Sequence, residues 1–210
     1  MKGLLKKSYL LVEGNDDFHV IKAIATKFKI NNYFVIIDCN GIDNIKKGIN
    51  DYQEKYQFDI LGIVLDADFD FSSRWESIKN YLKKFGYSTP KEFPKEGLIL
   101  SNEENKKVGV WIMPNNSLEG KVEDFVKYLI PAQDELLPIV ESHLSEIEEK
   151  ILNPYEEKDR PKALIHSWLA IQKTPGSPMG AAITKQYFST NNEICTQFVN
   201  WLKRLFVEEI

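Results

Sequence analysis

Two short acidic clusters carry most of the chemistry that this sequence offers. Glu13 ends the run Leu11-Val12-Glu13-Gly14, and Asp17 follows four residues later. Asp66 and Asp68 lie in Val64-Leu65-Asp66-Ala67-Asp68, with Asp70 just beyond. Along an extended segment side chains alternate with a period of two, so Asp66 and Asp68 are expected on one side. Carboxylates held together repel each other unless a proton or a cation intervenes. Oxygen donors of this kind suit Mg²⁺ or Mn²⁺. Gly14 would let the backbone turn sharply and let a phosphate come close. Each motif alone has an ordinary explanation: DxD is common in turns, Glu13 could cap a helix, and Asp17 could serve a helix dipole. Asp16 and Asp70 read as solvated or capping residues. Both clusters, however, directly follow apolar strand-like runs, and that conjunction favours one divalent-metal site centred on Glu13, Asp66 and Asp68.

The elements that must position these acids alternate between strand and helix patterns. Tyr9–Val12 reads as a first strand, and a helix capped by Asn15 or Asp16 follows, with Phe18, Ile21 and Ile24 or Ala25 on its buried face. Tyr33–Ile37 is a second strand, and Ile42, Ile45 and Ile49 mark a helix from about residue 43 to 55. Ile60–Leu65 is apolar throughout, as expected of a central parallel strand covered on both faces, and it ends at Asp66. A helix over 73–85 and strands at 98–100 and 108–113 complete the pattern, the two strands joined by a polar turn. The order predicts an α/β fold: a Rossmann-like, mostly parallel sheet with helices on both faces. Ligand sites in such sheets gather at the carboxyl ends of the strands. Beyond Pro114 the pattern is helical, with helices expected over 118–130, 133–151, 161–172 and 193–207. Leu137, Val140, Leu144, Ile147 and Ile151 form a packing stripe on the second, against the same chain or a partner. A Pro/Gly loop spans 174–180, and either closes over a phosphate or joins two helices. The division is an α/β core over 1–130 and a helical extension over 131–210, packed on the core.

Composition bounds the function. Of 210 residues 43% are hydrophobic and 28% charged, which suits a globular protein with a sizeable core. No run is long enough for a membrane helix, and Met1 to Lys7 lacks the apolar stretch of a signal peptide, so this start reads as a mature amino terminus. Cys39 and Cys195 are far apart and outside any CxxC spacing, so reduced thiols in the cytoplasm are expected. The net charge of −4 argues mildly against non-specific nucleic-acid binding, although cations in an acidic site would offset it. Lysine pairs at 6–7, 46–47, 83–84 and 106–107 read individually as solvated surface. Trp75, Trp111, Trp168 and Trp201 read as core.

A glutamate after the first strand and a DxD after the third resemble the Toprim superfamily, over residues 8–130. The remainder resembles a small stand-alone, uncharacterised prokaryotic Toprim-like family. The shared blocks are Asp66-Ala67-Asp68, Arg74-Trp75, Val110 to Pro114, Glu123-Asp124-Phe125, Lys162-Ala163, Trp168-Leu169-Ala170 and Pro175-Gly176. The polar residues are most similar to the overcoming-lysogenisation-defect nucleases. That likeness implies Asp17 and Glu123 as further metal ligands and Lys162 as a catalytic cation. It also implies a separate ATPase partner, because this chain has no P-loop sequence. The chain is too short for the tyrosine domain of a topoisomerase or the accessory modules of a primase.

The resemblance implies metal-dependent phosphodiester hydrolysis of DNA or RNA, and it alone suggests a role in phage or mobile-element defence. Glu13, Asp17, Asp66, Asp68 and Glu123 would hold Mg²⁺ or Mn²⁺, as one ion or as two about 4 Å apart. Lys162 would neutralise charge developing on the phosphate. His166 shares the Lys162 helix face but reads, like His19, as structural. Glu119 is four residues from Glu123 on the expected helix, and a salt bridge to Lys127 competes with the metal role of Glu123. The alternatives are a catalytically silent metal- or nucleic-acid-binding regulatory module and a phosphoryl-transfer enzyme on a small nucleotide. A homodimer is a candidate assembly.

Overall fold

A computed structural model describes residues 7–51 and 58–207. In it the apolar runs become one five-stranded sheet. The strands are β1 (Ser8–Val12), β2 (Val35–Asp38), β3 (Ile60–Asp66), β4 (Leu98–Ser101) and β5 (Lys107–Met113), in the order β2-β1-β3-β5-β4. β1 pairs in parallel with β2 and β3, β3 pairs in parallel with β5, and β4 lies antiparallel on the edge. The chain is therefore α/β with a mostly parallel sheet.

The strand order reverses between β1 and β3, because β2 lies on one side of β1 and β3 on the other. Helix α1 (Asn15–Lys27) covers one face, and α2 (Ile42–Asp51) and α3 (Phe71–Lys84) cover the other. The strands supply both cores by alternation. Leu10, Val12, Val64, Trp111 and Met113 face α1, whereas Leu11, Leu61, Ile63, Leu65, Val110 and Ile112 face α2 and α3. Every residue of β3 is buried, as expected for the apolar run Ile60–Leu65, and Asp66 at its end is buried with them.

The later helices are α4 (Val122–Tyr128), α5 (Leu136–Glu149), α6 (Arg160–Ala170), α7 (Met179–Thr184) and α8 (Glu193–Phe206). Residues of α4, α6, α7 and α8 share one apolar cluster with α1 and the sheet. Helix α8 lies across Gly62 and Gly109, which are partners in the β3–β5 register. A Cβ at Gly62 would stand 2.5 Å from Leu10 Cδ1, and one at Gly109 would stand 2.4 Å from Leu205 Cδ2. The two glycines thus remove side chains where α8 must settle onto backbone. All four tryptophans are buried, and Trp201 Nε1 donates to the Leu98 carbonyl at 3.1 Å.

Several boundaries differ from the sequence expectation. Helix α1 is capped by Gly14 in extended backbone, with no capping bond from Asn15 or Asp16. The helix expected from residue 118 starts only at Val122. The backbone groups of Asp68 and Gly120 bond to each other (Asp68 N to Gly120 O 3.0 Å, Gly120 N to Asp68 O 2.8 Å) and draw the preceding residues into a bridge. Glu119 therefore lies in a loop, not on a helix face. The packing stripe on α5 is intramolecular for Leu137, Val140 and Leu144, which meet Leu164 of α6. It stops before Ile151, which is 88% exposed beyond the helix end. The loop expected over 174–180 already enters α7 at Met179. That helix packs so closely on α1 that a Cβ at Gly180 would lie 2.4 Å from the His19 carbonyl oxygen. The end of the helix expected to reach residue 55 lies outside the described residues. Among the described residues no helix is long and apolar enough to cross a membrane, and both cysteines are free.

Candidate metal centre

Adjacent parallel strands deliver Glu13 and Asp66 to the same edge, where the strand order reverses. Glu13 directly follows β1 and Asp66 is the last residue of β3. Glu13 Oε2 accepts the backbone N–H of Asp66 at 3.2 Å, so one acid is fixed against the root of the other. Gly14 then turns the chain into α1, whose first turn carries Asp16 and Asp17. Helix α4 approaches from the far side. Its Val122 N–H donates to Asp66 Oδ1 at 3.1 Å, and the next residue is Glu123. Helix α6 adds Lys162.

These residues line one cavity of about 460 Å³. Its carboxylates are Glu13, Asp16, Asp17, Asp66, Glu123 and Asp159, and its cations are Lys121, Lys158 and Lys162. Three of the acids are deeply buried: Asp17 is 4% exposed, Glu123 6% and Asp66 9%. Burial is the leading reason that Asp17 is pushed up to about 8, with repulsion from Glu13 and Glu123 adding to it. Asp66 is also held well above the carboxylate range by burial first, then by Asp17, Glu13 and Glu123. Burial raises Glu13 and Glu123 as well, against the opposing pull of Arg74 on the first and Lys162 on the second. Asp17 Oδ1 is buried without a hydrogen-bond partner.

Burial and neighbouring carboxylates raise Asp17 and Asp66, and no lysine or arginine is among the main influences on either. Among the described residues no three ligating side chains already converge as a metal-binding group. The donor set nevertheless fits a hard divalent ion. The donors are carboxylate oxygens, one of them is orphaned, and Glu13, Asp17, Asp66 and Glu123 open into one space. Those four could hold Mg²⁺ or Mn²⁺. Protons are the alternative way of relieving the same repulsion.

Asp68 is placed differently from its sequence expectation. It has a positive φ of 53°, so the extended run ends before it and the period-two argument no longer applies. Its carboxylate does not line the cavity and pairs with Arg74 through Oδ2 and with Lys121 through Oδ1, at 3.4 Å for the latter. It remains near enough to repel Glu13 and Asp66. Lys162 Nζ sits 2.9 Å from Asp16 and 3.8 Å from Glu123, and the Asp16 bond is the main reason its own pKa is raised. Glu123 thus faces Lys162, while Lys127 pairs instead with Glu141 at 2.7 Å. His166 is exposed and does not line the cavity, and His19 lines a neighbouring groove between α1 and α7.

The sequence reading gave no role to Arg74, Lys121 or Lys158. Arg74 was legible as part of the Arg74-Trp75 block six residues after Asp68. Lys121 becomes visible only once the helix start is placed at Val122, which sets that lysine at the cavity mouth. Lys158 reaches the cavity from the short 3₁₀ turn Glu157–Asp159 ahead of α6, which no periodicity announced.

Comparison with known proteins adds a family and a distant structural likeness. No curated protein matches the chain. Among solved structures it is similar to the C-terminal region of the Xanthomonas campestris pv. campestris OLD protein, at 14% identity and a TM-score of 0.48 over 95% of this chain and 93% of that one. The family model described as "Protein of unknown function (DUF3226)" matches residues 7–207, and this chain belongs to that family.

Proposed function

We propose that the chain is a Toprim-like, Mg²⁺- or Mn²⁺-dependent phosphodiesterase acting on nucleic acid. The observation that carries this reading is the carboxylate cavity at the β1/β3 reversal, lined by Asp17, whose Oδ1 is buried without a hydrogen-bond partner. In this reading Glu13, Asp17, Asp66 and Glu123 hold the metal, and Asp68 is the acid at the rim.

Asp17, with its unpartnered oxygen, lines the cavity that the strand reversal opens between Glu13 and Asp66. A bound divalent ion would supply Lewis-acid activation of water and stabilisation of the leaving oxygen. The chain's own residues would do the rest. Glu13 orients the end of β3 through its bond to the Asp66 N–H, so the two acids keep a fixed separation. The Val122 N–H holds Asp66 Oδ1 and so fixes how that carboxylate is turned. Lys162 is half-exposed beside Glu123 and Asp16, and would neutralise charge on a phosphate entering from solvent. Lys121 and Lys158 extend that positive lip.

The test is cleavage of supercoiled plasmid, single-stranded DNA and RNA with Mg²⁺ or Mn²⁺. Asp66→Ala and Glu13→Ala should each abolish it, and Lys162→Ala should slow it. Cleavage at the wild-type rate by both acid variants would mean a contaminant and would sink the reading. Calorimetric Mn²⁺ binding without cleavage of any nucleic acid would point instead to a silent binding module.

A further inference from the structure

The loop after Asp66 carries a feature that the acid cavity does not use. Phe69 is 61% exposed, and Leu118, 49% exposed, lies on the facing segment of the Asp68–Gly120 bridge. An exposed aromatic ring on a loose loop would mean little. This loop is pinned. Besides the paired backbone bonds between Asp68 and Gly120, Asp70 N–H donates to the Ala67 carbonyl at 3.3 Å. Asp70 Oδ1 in turn accepts the Ser73 N–H at 2.8 Å and starts α3. The ring thus stands exposed on a turn that is hydrogen-bonded on both sides of it.

Phe69 also borders a depression of about 330 Å³ that includes Asp68, Ser73 and Arg74. Lys121 lines the acid cavity, Arg74 lines this depression, and Asp68 pairs with both. The two hollows therefore flank one ion-paired strap. Phe69 is three residues from Asp66, so their Cα atoms are at most about 11 Å apart.

We propose that Phe69 is a stacking platform for an unpaired nucleobase next to the phosphate held at the acid cavity, so that the substrate is a single strand or an unpaired end. This rests on the nucleic-acid reading above and names its substrate class. Cations on the strap lie between the two hollows, where the linking backbone would pass. A base within a duplex has both faces covered by its neighbours and offers no face to the ring, whereas an unpaired base does.

The test uses the full chain with Ca²⁺ and a single-stranded oligonucleotide carrying 2-aminopurine, beside a duplex of the same sequence. The wild type should bind the single strand more tightly and quench the probe. Phe69→Ala should weaken binding by about five- to a hundredfold and abolish the quench. Phe69→Trp should restore both. Because the side chain is exposed, Phe69→Ala should melt with the wild type, which separates lost stacking from lost folding. Equal binding and quenching by Phe69→Ala, tighter binding of the duplex, or no oligonucleotide binding would each overturn the proposal. Cleavage of the same strand with Mn²⁺ is scored separately. A strand bound and quenched but never cut would overturn hydrolysis and leave Phe69 its role. A strand cut by both but bound and quenched equally by wild type and Phe69→Ala would do the reverse.

Discussion

Strands β3 and β5 run side by side through two very different environments. Halfway along, Gly62 and Gly109 face each other, and Leu205 and Phe206 of α8 settle against them. Four residues further along β3, Asp66 is buried among Asp17, Glu13 and Glu123. In the middle the chain removes side chains so that apolar groups can touch. At the end it crowds carboxyl groups that cost free energy to bury in their charged form. The contrast separates two tasks along one strand. The middle holds the fold together, and the surplus there keeps the carboxyl edge in an arrangement that would not assemble alone.

The largest expected effect lies in the middle. Trp201 is fully buried, packs on Trp111 and Phe198, and bonds to the Leu98 carbonyl. Trp201→Ala should cost about 3–5 kcal/mol, read as a fall in Tm or in the denaturant midpoint. A loss below about 1 kcal/mol would break the comparison, because the α8 interface would then not be the stabilising half.

Next comes the metal. Mg²⁺ or Mn²⁺ at about a hundred times its Kd should raise stability by about 2.7 kcal/mol, and a chelator should reverse the gain. Melting curves that do not respond to either ion would remove the metal reading of the edge.

The pH dependence is a smaller effect, and its sign is distinctive. Asp17 is held at about 8 in the folded chain against an ordinary 3.8. Between those values the folded chain keeps a proton that the unfolded chain has lost. Metal-free stability is therefore highest below the unfolded value and falls as pH rises through about 8. Asp17→Asn should flatten that decline and exceed the metal-free wild type at about pH 8 by at least about 1.4 kcal/mol, the worth of one pKa unit. The stabilisation by Mn²⁺ should grow over the same range, because the ion binds deprotonated acids. A metal-free stability that rises from about pH 5 to about pH 8 would contradict the buried-acid picture.

Much of this was legible in the sequence, for reasons that differ by residue. That Glu13 and Asp66 share one edge was legible because unbroken apolar runs end on them, and parallel strands bring such ends together. The sheet class followed from the same runs. Asp68 was misplaced because period-two alternation assumes an extended backbone, and a left-handed residue ends it without any glycine to announce the change. Helix α7 was missed because six residues span too few turns to show periodicity. Its signal was Gly180, which reads as loop until α1 is known to pass within a Cβ's reach. The start of α4 depended on a tertiary bridge between Asp68 and Gly120, and local propensity carries no trace of that pairing.

The smallest expected effect sharpens the comparison inside the DxD itself. Asp66 and Asp68 are two residues apart, yet one is buried among acids and the other is paired with Arg74 and Lys121. Arg74 is mostly buried and Asp68 is partly exposed, so solvent screens the pair and Arg74→Ala should cost only about 0.5–1 kcal/mol. Its effect on cation binding should be clearer. Removing the guanidinium takes away a positive charge that acts on Glu13 and frees Asp68 Oδ2 to serve the edge. Calorimetry should show Mn²⁺ binding tightened several-fold by Arg74→Ala, with the difference shrinking as salt is added. Unchanged affinity would mean that the strap is only structural, and that Asp68 belongs with the folded half of the molecule and not with the acids beside it.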